Sequence, residues 1–258
     1  MNSQPLKDSP ERRAEYWNRN LDALRRRDPA LARQLDELPL SPRFIAARAE
    51  DGSPILAIVL DNGQTAALCH TGQPWKEAEQ WVMGLGEDLR RNAHVLLMGF
   101  GSGHHPLAFF RLSDADTVLW IVEPDPALFK AALCGMDYTS MILSPRVHWA
   151  VGISETEVVQ RLFSEAGGNR MRVQGIRVAF TAASRFLYGE YIQRLGAAIQ
   201  ESIQMEGLKF RTSELQGETI LRNVMANLPW ILRGAPWKRL LGQAPGVPAL
   251  VAAPGPSL

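Results

Sequence analysis

The segment VLLMGFGSGHHPLAFF constrains this chain more than any other, because an apolar strand runs straight into Gly99, Gly101 and Gly103 and then into a helical pattern. Three glycines at alternate positions suit a turn in which the backbone adopts conformations closed to other residues and approaches a neighbour closely. The next apolar run, TVLWIVEPDP, ends in Glu123, twenty positions beyond Gly103. In a strand-loop-helix-strand unit, such a loop can aim backbone N–H groups and a helix N-terminus at an anion, while the acid accepts hydrogen bonds from ribose hydroxyls. An equally open reading makes the glycines a tight connection and Glu123 the cap of the helix begun by Pro124 or Pro126.

The flanking pattern extends this unit. HVLLM, TVLWIV, RVHWAV and RVQGIRVAF read as strands, and PLAFFRL, PALFKAAL and ETEVVQRLF as helices. Alternation of this kind predicts a parallel sheet wrapped by helices, a Rossmann-like α/β domain over residues 91–182. Upstream, residues 1–90 form a lead-in of two parts. Tyr16, Trp17, Leu21, Leu24, Leu31, Leu35 and Leu38 lie at helical spacing, divided by Asp28-Pro29, where Asp caps a helix that proline opens. The runs RFIAARA, PILAIVL and QTAALCH, separated by Asp51-Gly52 and Asn62-Gly63, predict a three-stranded meander, and a helix opens after Pro74. Residues 183–244 read as a connector of two or three helices, with a break near Gly207 and an end near Pro229 and Gly234. Residues 245–258 read as one strand and a Gly-Pro-Ser loop opening a second, truncated α/β domain, since a strand without sheet partners cannot satisfy its backbone groups.

Composition removes several classes of function. The formal charge is +1, with 28 basic and 27 acidic residues, so no broad field gathers nucleic acid or an anionic membrane. No apolar run approaches the roughly 20 residues of a spanning helix, and the polar N-terminus shows no secretory signal. Cys69 and Cys134 lie far apart in sequence, which suits a reducing compartment, and cytoplasmic residence is the expectation. No metal-ligand spacing is visible. Arg25 to Arg27 read as a solvated helix face, His104 and His105 as polar residues of a first helical turn, and His70, His94 and His148 as structural. No catalytic residue is assigned.

The loop and acid alone resemble the cofactor site of S-adenosylmethionine methyltransferases, although VAFTAASRF lacks their acceptor-handling residues. Taken in order, NLDALRRRDPALARQLDE, TGQPWKEAEQWV, VLLMGFGSGHHPLAFFRL, LWIVEPDPALFKAAL, ILRNVMANLPWILRGAPWKRLLG and PALVAAPGPSL resemble the motility accessory factor (Maf) proteins, bacterial flagellin glycosyltransferases. The resemblance implies a Rossmann-like first domain and a central domain shared with the archaeal 6-hydroxymethylpterin diphosphokinase MptE. It further implies a CMP-activated nonulosonic acid as donor, Ser or Thr of flagellin as acceptor, and Gly255, Pro256 and Ser257 as the start of the nucleotide-sugar site. Pro254 departs from the family pattern and removes one backbone donor. On this reading a chain of this extent is inactive by itself as a transferase. A methyltransferase-like domain, a pterin diphosphokinase-like protein and a non-catalytic partner-binding module are the alternatives.

Overall fold

A computed structural model describes residues 10–91, 94–164 and 176–233, so Gly255, Pro256 and Ser257 lie outside the described residues. The chain divides into two compact units, Met1–Gln204 and Met205–Leu258. The first unit opens with α1 (Pro10–Arg27) and α2 (Pro29–Glu37). Asp28 separates them as anticipated: its Oδ1 accepts from Leu31 N at 3.0 Å, supplying one of the donors a helix start leaves unpaired. Leu21, Leu24, Leu31 and Leu35 of the apolar stripe are buried.

The meander is present as β1 (Phe44–Arg48), β2 (Pro54–Val59) and β3 (Thr65–Ala67), an antiparallel sheet in that order. Its turns carry Gly52 at φ 84° and Gly63 at φ 78°, the left-handed backbone that tight connections demand. Two helices follow, α3 (Pro74–Gly84) and the single turn α4 (Glu87–Arg90).

The larger sheet contains β4 (His94–Met98), β5 (Val118–Glu123), β6 (Val147–Val151) and β7 (Ile176–Phe180), interleaved with α5 (His104–Leu112), α6 (Pro126–Leu133), α7 (Thr139–Ile142) and α8 (Glu155–Ser164). All its pairings are parallel and the order is β6-β5-β4-β7. This is the Rossmann-like α/β arrangement the alternation predicts, with the order reversing at β4. Side-chain alternation divides the core. Val95, Leu97, Leu119 and Ile121 join α1, α2, the meander and α6 on one face, while Leu96, Met98, Trp120 and Val122 meet α8 and the first part of the last helix on the other.

That last helix corrects the expected connector. It is α9 (Ala182–Arg233), which runs through Gly207 and past Pro229; the residue with non-helical dihedrals is Tyr188, at φ −128° and ψ 27°. A glycine within a helix costs about 1 kcal/mol against alanine and does not by itself end it. Tyr188 departs because its hydroxyl is held elsewhere, by Glu123. The described part of the helix reaches Arg233, and the expected end near Gly234 lies outside the described residues.

One polar residue ties the lead-in helices to the parallel sheet. Asn20 on α1 is wholly buried; its Nδ2 donates to Leu133 O at 2.8 Å and Met136 O at 2.7 Å, and its Oδ1 accepts from Tyr138 N at 2.8 Å. Each of these side-chain bonds reaches the last residue of α6 or the segment that follows it. Asn20→Ala is expected to cost about 3 kcal/mol in urea denaturation, since three bonds go and buried backbone groups lose their partners. An unchanged midpoint would show that water replaces the carboxamide.

Candidate functional site

The Gly99 to Gly103 loop leaves the C-terminal end of β4, where the strand order reverses, which is the position at which open α/β sheets bind ligands. All three glycines have positive φ, at 81°, 56° and 84°. Their surroundings are protein. A Cβ on Gly103 would lie 1.9 Å from Tyr138 Oη, and one on Gly99 would lie 2.6 Å from Ser184 Cβ, both closer than atoms can approach. A Cβ on Gly101 would meet only Leu68 O, at 3.7 Å. The outer two glycines therefore admit a tyrosine ring and a serine where side chains would otherwise stand.

Several of the loop's polar groups also have protein partners. Tyr138 Oη donates to Ser102 O at 3.1 Å, and Ser102 Oγ accepts from Leu56 N of β2 at 3.0 Å. Gly99 N donates to Val122 O at 2.8 Å, and Gly103 N to Phe100 O at 2.9 Å. Phe100 packs its ring edge-on against Phe129 and Tyr138, with centroids at 4.8 Å and 5.1 Å.

Glu123 stands at the end of β5, fully buried. Its Oε2 accepts from Phe100 N at 2.7 Å, and its Oε1 accepts from Asp125 N at 3.0 Å and from Tyr188 Oη at 2.5 Å. The carboxylate thus joins the Gly loop, the start of α6 and the irregular residue of α9. The cap of α6 is Asp125, whose Oδ1 accepts from Ala127 N and Leu128 N. Burial pushes the Glu123 carboxyl up to about 7, against the opposing pull of these donors. The Tyr188 hydroxyl is raised, first by burial and then by the adjacent carboxylate.

His104 and His105 begin α5 and are buried, and each ring meets a tryptophan edge of α3, Trp75 at 4.8 Å and Trp81 at 5.2 Å. Burial lowers His104 to about 4, so its ring is neutral at physiological pH. Cys69 approaches the same loop through Ser102, and burial pushes its thiol to about 12, which leaves no thiolate for nucleophilic work. Among the described residues no group of His, Cys, Asp and Glu is arranged to hold a metal ion, and no helix is long and apolar enough to cross a membrane. The sequence pattern brings Gly99, Gly101, Gly103 and Glu123 together at one strand edge. It did not disclose Tyr138, Ser184 and Tyr188, which complete the arrangement from distant segments.

No family model matches the chain, and no curated protein sequence matches it. Among solved structures, the fold is similar to a Maf glycosyltransferase from Magnetospirillum magneticum AMB-1, with a TM-score of 0.51 and 15% identity. That similarity covers 73% of this chain and 35% of the neighbour, so the chain spans about a third of the neighbour's length. MnmC2 from Aquifex aeolicus aligns over 57% of this chain at 12% identity with a TM-score of 0.27, too low to support an argument. The first likeness shows a shared, distantly related Maf-like fold.

Proposed function

We propose that this chain is the N-terminal part of a Maf-like glycosyltransferase, and that the protein to which it belongs transfers a CMP-activated nonulosonic acid to Ser or Thr of flagellin. The observation that carries the reading is the agreement of two independent signals. The ordered motifs of the sequence resemble that family, and the fold is similar to a solved Maf glycosyltransferase over 73% of the chain. In this reading Gly255, Pro256 and Ser257 begin the donor site, where backbone amides and the Ser257 hydroxyl meet the phosphate. The leaving phosphate would be stabilised there by fixed donors.

The Gly99 to Gly103 loop then serves as a joint of the Rossmann-like fold. Tyr138 and Ser184 occupy the space beside its glycines, and both oxygens of Glu123 accept from the protein itself. The methyltransferase alternative instead requires Glu123 to take ribose hydroxyls. Calorimetry with S-adenosylmethionine separates the two readings, and heat of binding abolished by Glu123→Ala would favour the alternative.

The decisive test is the intact mass of flagellin from cells with and without the gene. Loss of the nonulosonic acid mass on deletion is the expected result. Flagellin that keeps its glycan in the deletion strain overturns the proposal.

A further inference from the structure

A groove of about 780 Å³ runs between α1 and β1. It is lined by Trp17 and Arg13 of α1, Phe44 and Ala46 of β1, and Lys130 and Cys134 of α6 and its C-terminal end. Its volume lies within the range of ligand sites.

Three observations define what fits. First, among the described residues β1 is an edge strand, since the meander order is β1-β2-β3. Val59 N donates to Arg43 O and Ala49 N to Ser53 O, both at 2.8 Å, so residues 43, 45, 47 and 49 turn their backbone toward β2. Antiparallel alternation directs the N–H and C=O of Phe44, Ala46 and Arg48 the other way. Pro54, which has no N–H, sits opposite Arg48 in agreement with that alternation. A turn takes the Phe44 amide, which donates to Ser41 O at 3.2 Å, and Ala46, whose backbone the alternation turns away from β2, lines the groove.

Second, the described lining residues include two cations and no acid. Lys130 Nζ donates to Leu35 O at 2.8 Å and Leu38 O at 2.5 Å and lies 4.4 Å from the Trp17 ring centroid. Its partners are carbonyls, so its charge is not cancelled. Arg13 has no carboxylate partner among the described residues. Third, Leu40 at the groove is 52% exposed beside the half-buried Trp17, an apolar surface adjoining the charge.

We infer that this groove is a docking site for an extended acidic peptide of a partner protein, which adds to the free edge of β1. Main-chain bonds to Ala46 set its register, a carboxylate side chain meets Arg13, and apolar side chains of the alternate face cover Trp17 and Leu40. The inference does not rest on the glycosyltransferase reading. A small organic anion would satisfy the cations but would leave the strand edge unused.

The test is fluorescence anisotropy of a fluorescein-labelled heptapeptide of alternating valine and glutamate, titrated with the full chain. Saturable binding is expected, weakened at least about tenfold by Arg13→Glu and lost when glutamate is replaced by lysine. Arg13 lies at a partly exposed position on α1, so circular dichroism should show the variant folded. The peptide with methylated amide nitrogens is the second arm and involves no protein variant; it should fail to bind. Equal binding by the methylated peptide, displacement by phenyl phosphate at matching concentration, or absence of binding up to about 1 mM would each overturn the inference.

Discussion

Gly103→Ala is expected to abolish the native fold or to destabilise it by about 4 kcal/mol or more, which places it among the most severe single substitutions. The added methyl would stand 1.9 Å from Tyr138 Oη and 2.5 Å from Tyr138 Cζ. Tyr138 has no way to withdraw, because its ring is fully buried, its amide is bonded to Asn20 and its hydroxyl to Ser102 O. A left-handed backbone at φ 84° adds roughly 1–2 kcal/mol for any residue with a Cβ. Gly101→Ala is the internal control. Its φ is 56° and its Cβ meets nothing closer than 3.7 Å, so only the conformational cost of roughly 1–2 kcal/mol applies. Urea denaturation of the two variants checks this order. Equal midpoints would mean that Tyr138 does not fill the space beside Gly103.

The second large effect is a dependence on pH carried by Glu123. Its folded value of about 7 lies above the ordinary 4.5, so the native state binds the proton more tightly than the unfolded chain. Stability from this group is therefore full below 4.5, falls as pH rises from 4.5 to 7, and stays low above that window. The drop amounts to roughly 3 kcal/mol. His104 acts in the opposite sense: lowered to about 4 by burial, it withdraws stability as pH falls from 6.5 toward 4. Subtraction of a Glu123→Gln curve removes the histidine from the comparison. The amide is neutral at all pH and, like the protonated acid, can donate to Tyr188 Oη. Wild type should lose roughly 3 kcal/mol relative to Glu123→Gln between pH 4.5 and 7, measured by denaturation at stepped pH. Parallel curves for the two proteins would contradict a raised carboxyl.

Local chemistry made much of the architecture legible. Asp28 capped α2, Gly52 and Gly63 took the turn conformations their positions demand, and the alternating apolar runs placed the parallel strands. Each of these features depends on neighbours within a few residues. The loop's companions do not. Tyr188 reaches Glu123 across 65 residues and Asn20 reaches Tyr138 across 118, and neither residue type announces such a bond through periodicity or spacing. The interruption of α9 was misplaced for the same reason. Gly207 has the weaker helix propensity, but the tertiary bond to Glu123 acts at Tyr188.

The bond from Asn20 to Tyr138 also bears on how the molecule assembles. The backbone that carries the ring wedged beside Gly103 is held by a carboxamide 118 residues earlier, so the strand-to-helix corner is unfinished until the opening helix has returned to it. Closure over that distance belongs to the slow class of folding events, because chain entropy is surrendered before the distant contact repays it. A polypeptide begun at β4 would carry all three glycines and still lack the anchor that sets their geometry.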